Sequence, residues 1–272
     1  TRGTTPFRLD LHVGDVGHTL VVGPTGAGKS VLLATLALQF RRFIGAQVIL
    51  FDKGRSARAA ALAMNGIALD LALDGDIAFQ PLRAIDKPAE LAVALDWVLG
   101  LIGNEAITVT PELKDIVWTA LQSLASAPPS ERTLTGLAVL LQSQELKQAL
   151  APYLIGGPWG RLLDAEQERL GEASVQAFET EGLIGASSAA AVLAYLFHRI
   201  EGRLDGSPTM IIIDEGWLVL DSPAFAAQLR EWLKTLRKKN ASVIFATQSL
   251  ADIETSAIAP AIIESCPTRI FL

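Results

Sequence analysis

Gly23-Pro24-Thr25-Gly26-Ala27-Gly28-Lys29-Ser30 completes the spacing G-x-x-x-x-G-K-[ST]. The apolar run Thr19-Leu20-Val21-Val22 leads into it, and Val31-Leu32-Leu33-Ala34-Thr35-Leu36-Ala37-Leu38 leads out. A strand-like run before and a helix-forming run after predict strand, tight loop and helix. Glycines let the loop backbone curl so that successive N–H groups point at phosphate oxygens, and the helix amino terminus adds its positive dipole end. On this reading the segment from Gly23 through Pro24, Thr25, Gly26, Ala27 and Gly28 to Val31 cradles phosphates. Lys29 then reaches the β- and γ-phosphates, and the Ser30 hydroxyl ligates Mg2+. The bland alternative is a glycine turn that binds nothing; three fixed residues in a strand–loop–helix context argue against it. The stretch predicts a P-loop and a nucleoside-triphosphate ligand.

Binding does not imply hydrolysis, and Ile211-Ile212-Ile213-Asp214-Glu215 supplies the second half of a site. A hydrophobic strand ending in an acid presents a carboxylate to Mg2+ at the carboxyl edge of a parallel sheet, which makes Asp214 a metal ligand. Glu215, one residue on, is placed to act as general base on a water attacking the γ-phosphate. Val243-Ile244-Phe245-Ala246-Thr247-Gln248 is a second buried-type strand, ending in an amide. Gln248 is expected to sense the γ-phosphate and the attacking water. Arg237-Lys238-Lys239-Asn240 closes the preceding helix. Either it is a solvated cluster complementing the helix dipole, or Arg237, with Lys238 as the other choice, enters a neighbouring subunit's site as an arginine finger. Arg161 and Arg269 compete for that role. Asp52 and Lys53, in Phe51-Asp52-Lys53-Gly54, either face the phosphate site or pair with each other.

Between these motifs the pattern alternates. Strands are expected near 17–22, 47–51, 67–71, 174–178, 210–213, 242–246 and 269–272, with the P-loop helix between the first two. Residues 84–155 instead carry helical spacing at 91–102, 111–125, 133–142 and 144–154, with Thr133 or Ser130 as an N-cap. Further helices are expected at 187–203, 223–239 and 256–264. The fold class is therefore α/β: a nucleotide-binding core of 1–83 and 156–272, with a mainly parallel sheet flanked by helices, and an all-helical insertion at 84–155.

Half of the 272 residues are apolar, enough for a large core. A net charge of −6, from 23 basic and 29 acidic residues, gives no global electrostatic case for nucleic acid, although a local basic stripe can hide in an acidic average. One cysteine, Cys266, excludes an internal disulfide framework and reads as a buried hydrophobe. His12, His18 and His198 lack metal-ligand spacing and read as structural. No apolar run approaches the ~20 residues of a membrane helix. Both ends look cut, so an excised piece of a longer protein is expected.

Six stretches occur in an order that resembles one family: the P-loop, Phe51-Asp52-Lys53-Gly54, Phe79-Gln80-Pro81-Leu82, Ile213-Asp214-Glu215-Gly216-Trp217, Arg237-Lys238-Lys239-Asn240 with Ala246-Thr247-Gln248-Ser249, and Glu264-Ser265-Cys266-Pro267-Thr268-Arg269-Ile270. Together they are similar to the C-terminal ATPase domain of the TrbE/CagE group of type IV secretion and conjugation ATPases, the TrbE type in particular. Gly216 departs from the Ala common in relatives. The resemblance implies a RecA-like core, ATP–Mg2+ hydrolysis and assembly into a homo-hexamer, weak for an isolated domain. It also implies docking on inner-membrane components of an export channel, at the cytoplasmic face of the bacterial inner membrane, through regions outside this chain. Residue by residue it assigns Lys29 and Ser30 to phosphate and Mg2+, Asp214 to the metal, Glu215 to water and Gln248 to the γ-phosphate. A DNA translocase or coupling ATPase of the FtsK/HerA type is the alternative, with direct DNA binding open. A nucleotide-stabilised scaffold is a third reading, and the intact Glu215 argues against it.

Overall fold

A computed structural model of the chain describes residues 8–72, 75, 77–186, 188–215, 223–254 and 259–272, without the side chains of 223–228 and 252. In chain order these form β1 (Thr19–Val22), α1 (Lys29–Phe40), β2 (Gln47–Asp52), α2 (Arg58–Ala63), β3 (Ile67–Asp70), α3 (Pro88–Asn104), α4 (Pro111–Ala125), α5 (Leu134–Leu140), α6 (Gln144–Leu150), α7 (Gly160–Leu163), β4 (Val175–Glu179), α8 (Ala189–Glu201), β5 (Thr209–Asp214), α9 (Pro223–Leu236), β6 (Ala241–Thr247), α10 (Leu250–Glu254), α11 (Ala259–Ser265) and β7 (Thr268–Phe271). The strands make one parallel sheet in the order β3-β4-β2-β5-β6-β1-β7. The expected α/β class is what the sheet shows, and every helix or strand between 84 and 155 is a helix.

The strands' composition follows their place. β5 is buried along its whole length, as is β6 apart from Ser242; β5 carries Met210 and three Ile, and β6 the run Val243-Ile244-Phe245. A central parallel strand is covered on both faces, so its sequence is continuously apolar. β7, at the edge, alternates half-buried and exposed residues. The register sets Ile213 against Phe51 on one side and Phe245 on the other, and Val22 against Thr247. The carboxyl ends of β2, β5, β6 and β1 therefore stand side by side, which puts Asp52, Asp214, Thr247 and the start of the P-loop on one edge.

Several helices stop earlier than their apolar periodicity suggests. α5 ends at Leu140 because Leu141 is extended, and α6 gives way to a tight 3-10 turn at Ala151–Tyr153, where Pro152 cannot continue a helix. α9 likewise ends at Leu236 and passes through a 3-10 turn, Arg237–Lys239, to a left-handed Asn240. Thr133 is the N-cap of α5, its hydroxyl accepting from Gly136 N at 3.0 Å. Gly216 and Trp217 lie outside the described residues, as does Ser187 at the head of the helix expected there.

The chain divides into two compact units, one of 1–67, 174–177 and 204–272, the other of 68–173 and 178–203. In the second, α3 packs on α4, α6 and α8, and the Trp97 indole donates to the Ala191 carbonyl at 2.8 Å. Gln80 is buried there, its amide donating to the Pro129 carbonyl. His198 sits 2.8 Å from Glu90. No helix among the described residues is long and apolar enough to cross a membrane.

In the first unit His18 ties the amino end of β1 to its surroundings. Its Nδ1 accepts from Val243 N and its Nε2 donates to the Leu233 carbonyl, both at 3.0 Å. Those partners fix one neutral tautomer, since a protonated ring could not accept from Val243. Burial first, then the charge of Arg237, holds its pKa below the usual 6.5, against the Leu233 carbonyl that would raise it. An unfolded chain therefore takes up a proton before the folded one does. Stability is expected to fall as pH drops below about 6.5, the ordinary histidine value, and His18→Ala should cost about 2–3 kcal/mol for two lost buried bonds. Denaturant unfolding of both proteins between pH 8 and 5 checks this; a slope equal in both would show that His18 does not titrate as stated.

Candidate active site

The P-loop follows β1 through two left-handed glycines, Gly26 at φ 84° and Gly28 at φ 93°, conformations that favour residues without a Cβ. Gly23 has a different reason: a Cβ there would lie 2.9 Å from that of Leu272. Gly28 is the N-cap of α1 and offers no side chain, and no acid occupies the first turn. The first N–H groups of this 12-residue helix are thus left for an anion. The exposed Val31 side chain takes no part, so its contribution is backbone only.

Lys29, the first helical residue, is 8% exposed. Its ammonium donates to Glu215 Oε1 at 2.7 Å and stands 3.3 Å from Asp214 Oδ1. The second contact is one of charge: Asp214 Oδ1 is buried and receives no aligned hydrogen bond. Gln248 Nε2 donates to the same Glu215 oxygen at 2.6 Å, and the Thr25 hydroxyl donates to Gln248 Oε1 at 2.8 Å. Loop, β5 tip and β6 tip are thereby joined in one chain of side chains, Thr25–Gln248–Glu215–Lys29–Asp214.

The two acids are held differently. Burial, helped by the charges of Asp52 and Glu215, pushes Asp214 up to about 6 against the pull of Lys29. Glu215 also feels burial, but the bonds from Lys29 and Gln248 and the charges of Lys29 and Lys53 outweigh it and keep its carboxyl below the usual range. Neighbouring carboxylates with separated proton affinities suit separate tasks, and Glu215 stays ionised as a base must. Glu215 also adopts φ 54°, a left-handed backbone its N–H supports by donating to the Ala246 carbonyl at 3.1 Å. Such a residue stores strain of about 1 kcal/mol or more, and strain of that kind clusters at functional sites.

Ser30, Asp52 and Asp214 line one crevice of about 10 Å3, enough for a single water. The Ser30 hydroxyl and the Asp214 Oδ1, which receives no aligned hydrogen bond, are hard oxygen donors, and they fit Mg2+. Among the described residues no group of three or more His, Cys, Asp or Glu could hold a metal. Mg2+ is commonly held by one or two protein oxygens together with substrate phosphates and water. Asp52 is committed elsewhere: its carboxylate accepts from the Ser56 hydroxyl at 2.8 Å and Ala57 N at 2.7 Å, pinning the turn into α2. Lys53 comes next, its charge felt at Glu215.

Arg237 and Arg269 are not brought to this edge. Arg237 lines a cleft of about 290 Å3 with His18, Leu233 and Glu264, at the opposite end of β1 from the P-loop. Arg269 lies on edge strand β7 and donates to the Ile263 carbonyl; Arg161 lies in the other unit. Cys266 is buried, its thiol pushed up to about 12 by that burial. The side-chain role of Thr25 is not legible in the motif, which leaves that position open.

Fold and loop together define a RecA-like P-loop domain. A family model, the TraG P-loop domain, matches residues 141–272, a stretch holding Asp214, Glu215 and Gln248. The chain is 44% identical over 279 residues to the conjugal transfer protein TrbE of Rhizobium radiobacter, covering 99% of this chain and 34% of that protein. It is 32% identical over 277 residues to the type IV secretion system protein virB4 of Bartonella henselae, covering 100% of this chain and 35% of the relative. The structure of VirB4 of Thermoanaerobacter pseudethanolicus superposes with a TM-score of 0.73 at 19% identity, over 96% of this chain and 79% of that one. The chain belongs to the TrbE/VirB4 family of conjugative-transfer and type IV secretion proteins. It spans less than half the length of these curated relatives.

Removing the ammonium is expected to act before any chemistry. Lys29→Met would leave Asp214 and Glu215 facing each other without a cation and would take one charge from the phosphates. A fall in affinity for a fluorescent ATP analogue of at least about tenfold is expected, one lost charged hydrogen bond. Titration with the analogue checks it; unchanged affinity would remove Lys29 from the phosphate site.

Proposed function

We propose that this domain hydrolyses ATP with Mg2+ and that the protein it belongs to drives a conjugative-transfer or type IV secretion apparatus. The observation that carries the hydrolytic half is the bonded chain Thr25–Gln248–Glu215–Lys29 at the mouth of the P-loop. The names of the relatives, a conjugal transfer protein and a type IV secretion system protein, support the other half.

In this reading the backbone of residues 23–31 and the Lys29 ammonium bind the β- and γ-phosphates. Ser30 and Asp214 hold Mg2+, which when bound neutralises charge on the phosphate oxygens. Lys29 turning to phosphate releases Glu215 Oε1, and Glu215 takes the proton of a water attacking the γ-phosphate in line. Gln248, 2.6 Å from Glu215, orients that water and registers the phosphate. The products are ADP and inorganic phosphate, with the water's proton on the Glu215 carboxylate before its release to solvent.

Arg237 completes a neighbour's site in a homo-hexamer. Residues 84–155 act as an all-helical insertion in a core of 1–83 and 156–272. The whole protein docks on inner-membrane components at the cytoplasmic face, through regions beyond this chain.

Glu215→Gln is expected to keep ATP binding while turnover falls about a thousandfold, the contribution of a general base. Parallel turnover and analogue-binding measurements decide it, and near-normal turnover removes Glu215 as the base. Subunit completion predicts specific activity that rises with protein concentration. It also predicts that Arg237→Ala, inactive yet able to bind nucleotide, regains activity when mixed with Lys29→Ala. Activity independent of concentration, with no rescue on mixing, would remove the trans role.

A further inference from the structure

Thr25 occupies a P-loop position that the spacing leaves free, and its side chain is exposed yet engaged. The donor inventory fixes the direction of each bond around it. Glu215 is an acceptor, so the group of Gln248 that meets it at 2.6 Å is the NH2. The carbonyl of Gln248 must then face Thr25, 2.8 Å away, and the Thr25 hydroxyl must donate. A glutamine amide has a broad terminal torsion, so Glu215 selects the end that faces it and the Thr25 hydroxyl, anchoring the other end, narrows its swing. Swapped, a carbonyl oxygen would face the Glu215 carboxylate and repel it. Thr25 suits the task because a β-branched residue has a stiff χ1 and holds its hydroxyl in place. The loop turn that carries it is closed by Ala27 N donating to the Pro24 carbonyl at 3.1 Å.

We propose that Thr25 is a positioning residue of the hydrolytic site: its hydroxyl fixes the Gln248 carboxamide so that N–H groups face Glu215 and the place of the γ-phosphate. The proposal rests on the reading of Gln248 as γ-phosphate sensor. It adds a physical link between the loop that wraps the phosphates and the tip of β6. Loop residue and strand-tip residue then change together, and a nucleotide lacking the γ-phosphate leaves the amide in the state seen here. Thr25 acts through Gln248 and touches no reacting atom.

A double-variant cycle in the full-length protein tests this, reading steady-state turnover together with binding of ADP and of a non-hydrolysable ATP analogue. Thr25→Val should lower kcat about tenfold, with ADP affinity within about twofold, as one lost hydrogen bond predicts. Its preference for the ATP analogue over ADP should fall with kcat, and Thr25→Ser should recover most of both. Placed on Gln248→Ala, Thr25→Val should cost less than about twofold more, because residues acting as one unit are not additive. Thr25→Ala replaces the valine variant should that one fold poorly. Additive losses, equal weakening of ADP and the ATP analogue, or unchanged turnover in Thr25→Val would each overturn the proposal. The ratio of analogue to ADP affinity keeps the two readings apart. Normal turnover in Glu215→Gln would sink the general base, whereas Thr25–Gln248 coupling would still show in that ratio.

Discussion

A single buried ammonium, Lys29, stands against two carboxylates, Asp214 and Glu215, and the site depends on that imbalance. One positive charge cannot neutralise two acids in a place where water is scarce. Burial first, then the charges of Asp52 and Glu215, raises Asp214 to about 6, while Lys29 and Gln248 favour the charged form of Glu215. A polyphosphate entering the loop competes for Lys29, and each bond the ammonium gives to phosphate is one it withdraws from an acid. The acids then need a second cation, and Asp214 and Ser30 sit where it would be held.

Strand order is what makes the imbalance possible. β5 lies between β2 and β6, and β6 lies between β5 and β1. Neighbouring parallel strands are about 4.8 Å apart, so the tips of β1, β6 and β5 bring the P-loop, Gln248 and the acid pair within side-chain reach. Antiparallel neighbours would send alternate tips to opposite edges. The buried Ile, Val and Phe runs of β5 and β6 hold this arrangement rigid, and a rigid edge can keep Glu215 in a left-handed backbone conformation.

Much of this is legible in the sequence because its causes are local. Strand, loop and helix around Gly23–Ser30 follow from residues adjacent in the chain, and so does the acid-tipped strand at Asp214. Helix ends are less legible: periodicity continues past Leu140 and Leu150, but Leu141 turns extended and Pro152 tightens the next turn. α2 leaves no such trace because its six residues, rich in alanine, carry no periodicity and start from a turn that the Asp52 carboxylate pins. That same pair of bonds engages both Asp52 oxygens in its own loop. Thr25 is legible as loop and not as a contact, since its partner Gln248 is 223 residues away and only strand pairing brings the two together.

Arg237 shows how position in a fold constrains a role. It sits beside His18, before the first residue of β1, whereas Lys29 lies beyond the last. A four-residue strand is about 13 Å long, and the P-loop turn adds to that separation. An arginine side chain spans less than such a strand, so Arg237 cannot serve the phosphates of its own chain while the sheet is intact. If it has a catalytic role, another copy must present its own P-loop edge to the amino edge of this sheet. That is a head-to-tail contact, heterologous in kind, and it closes only as a ring.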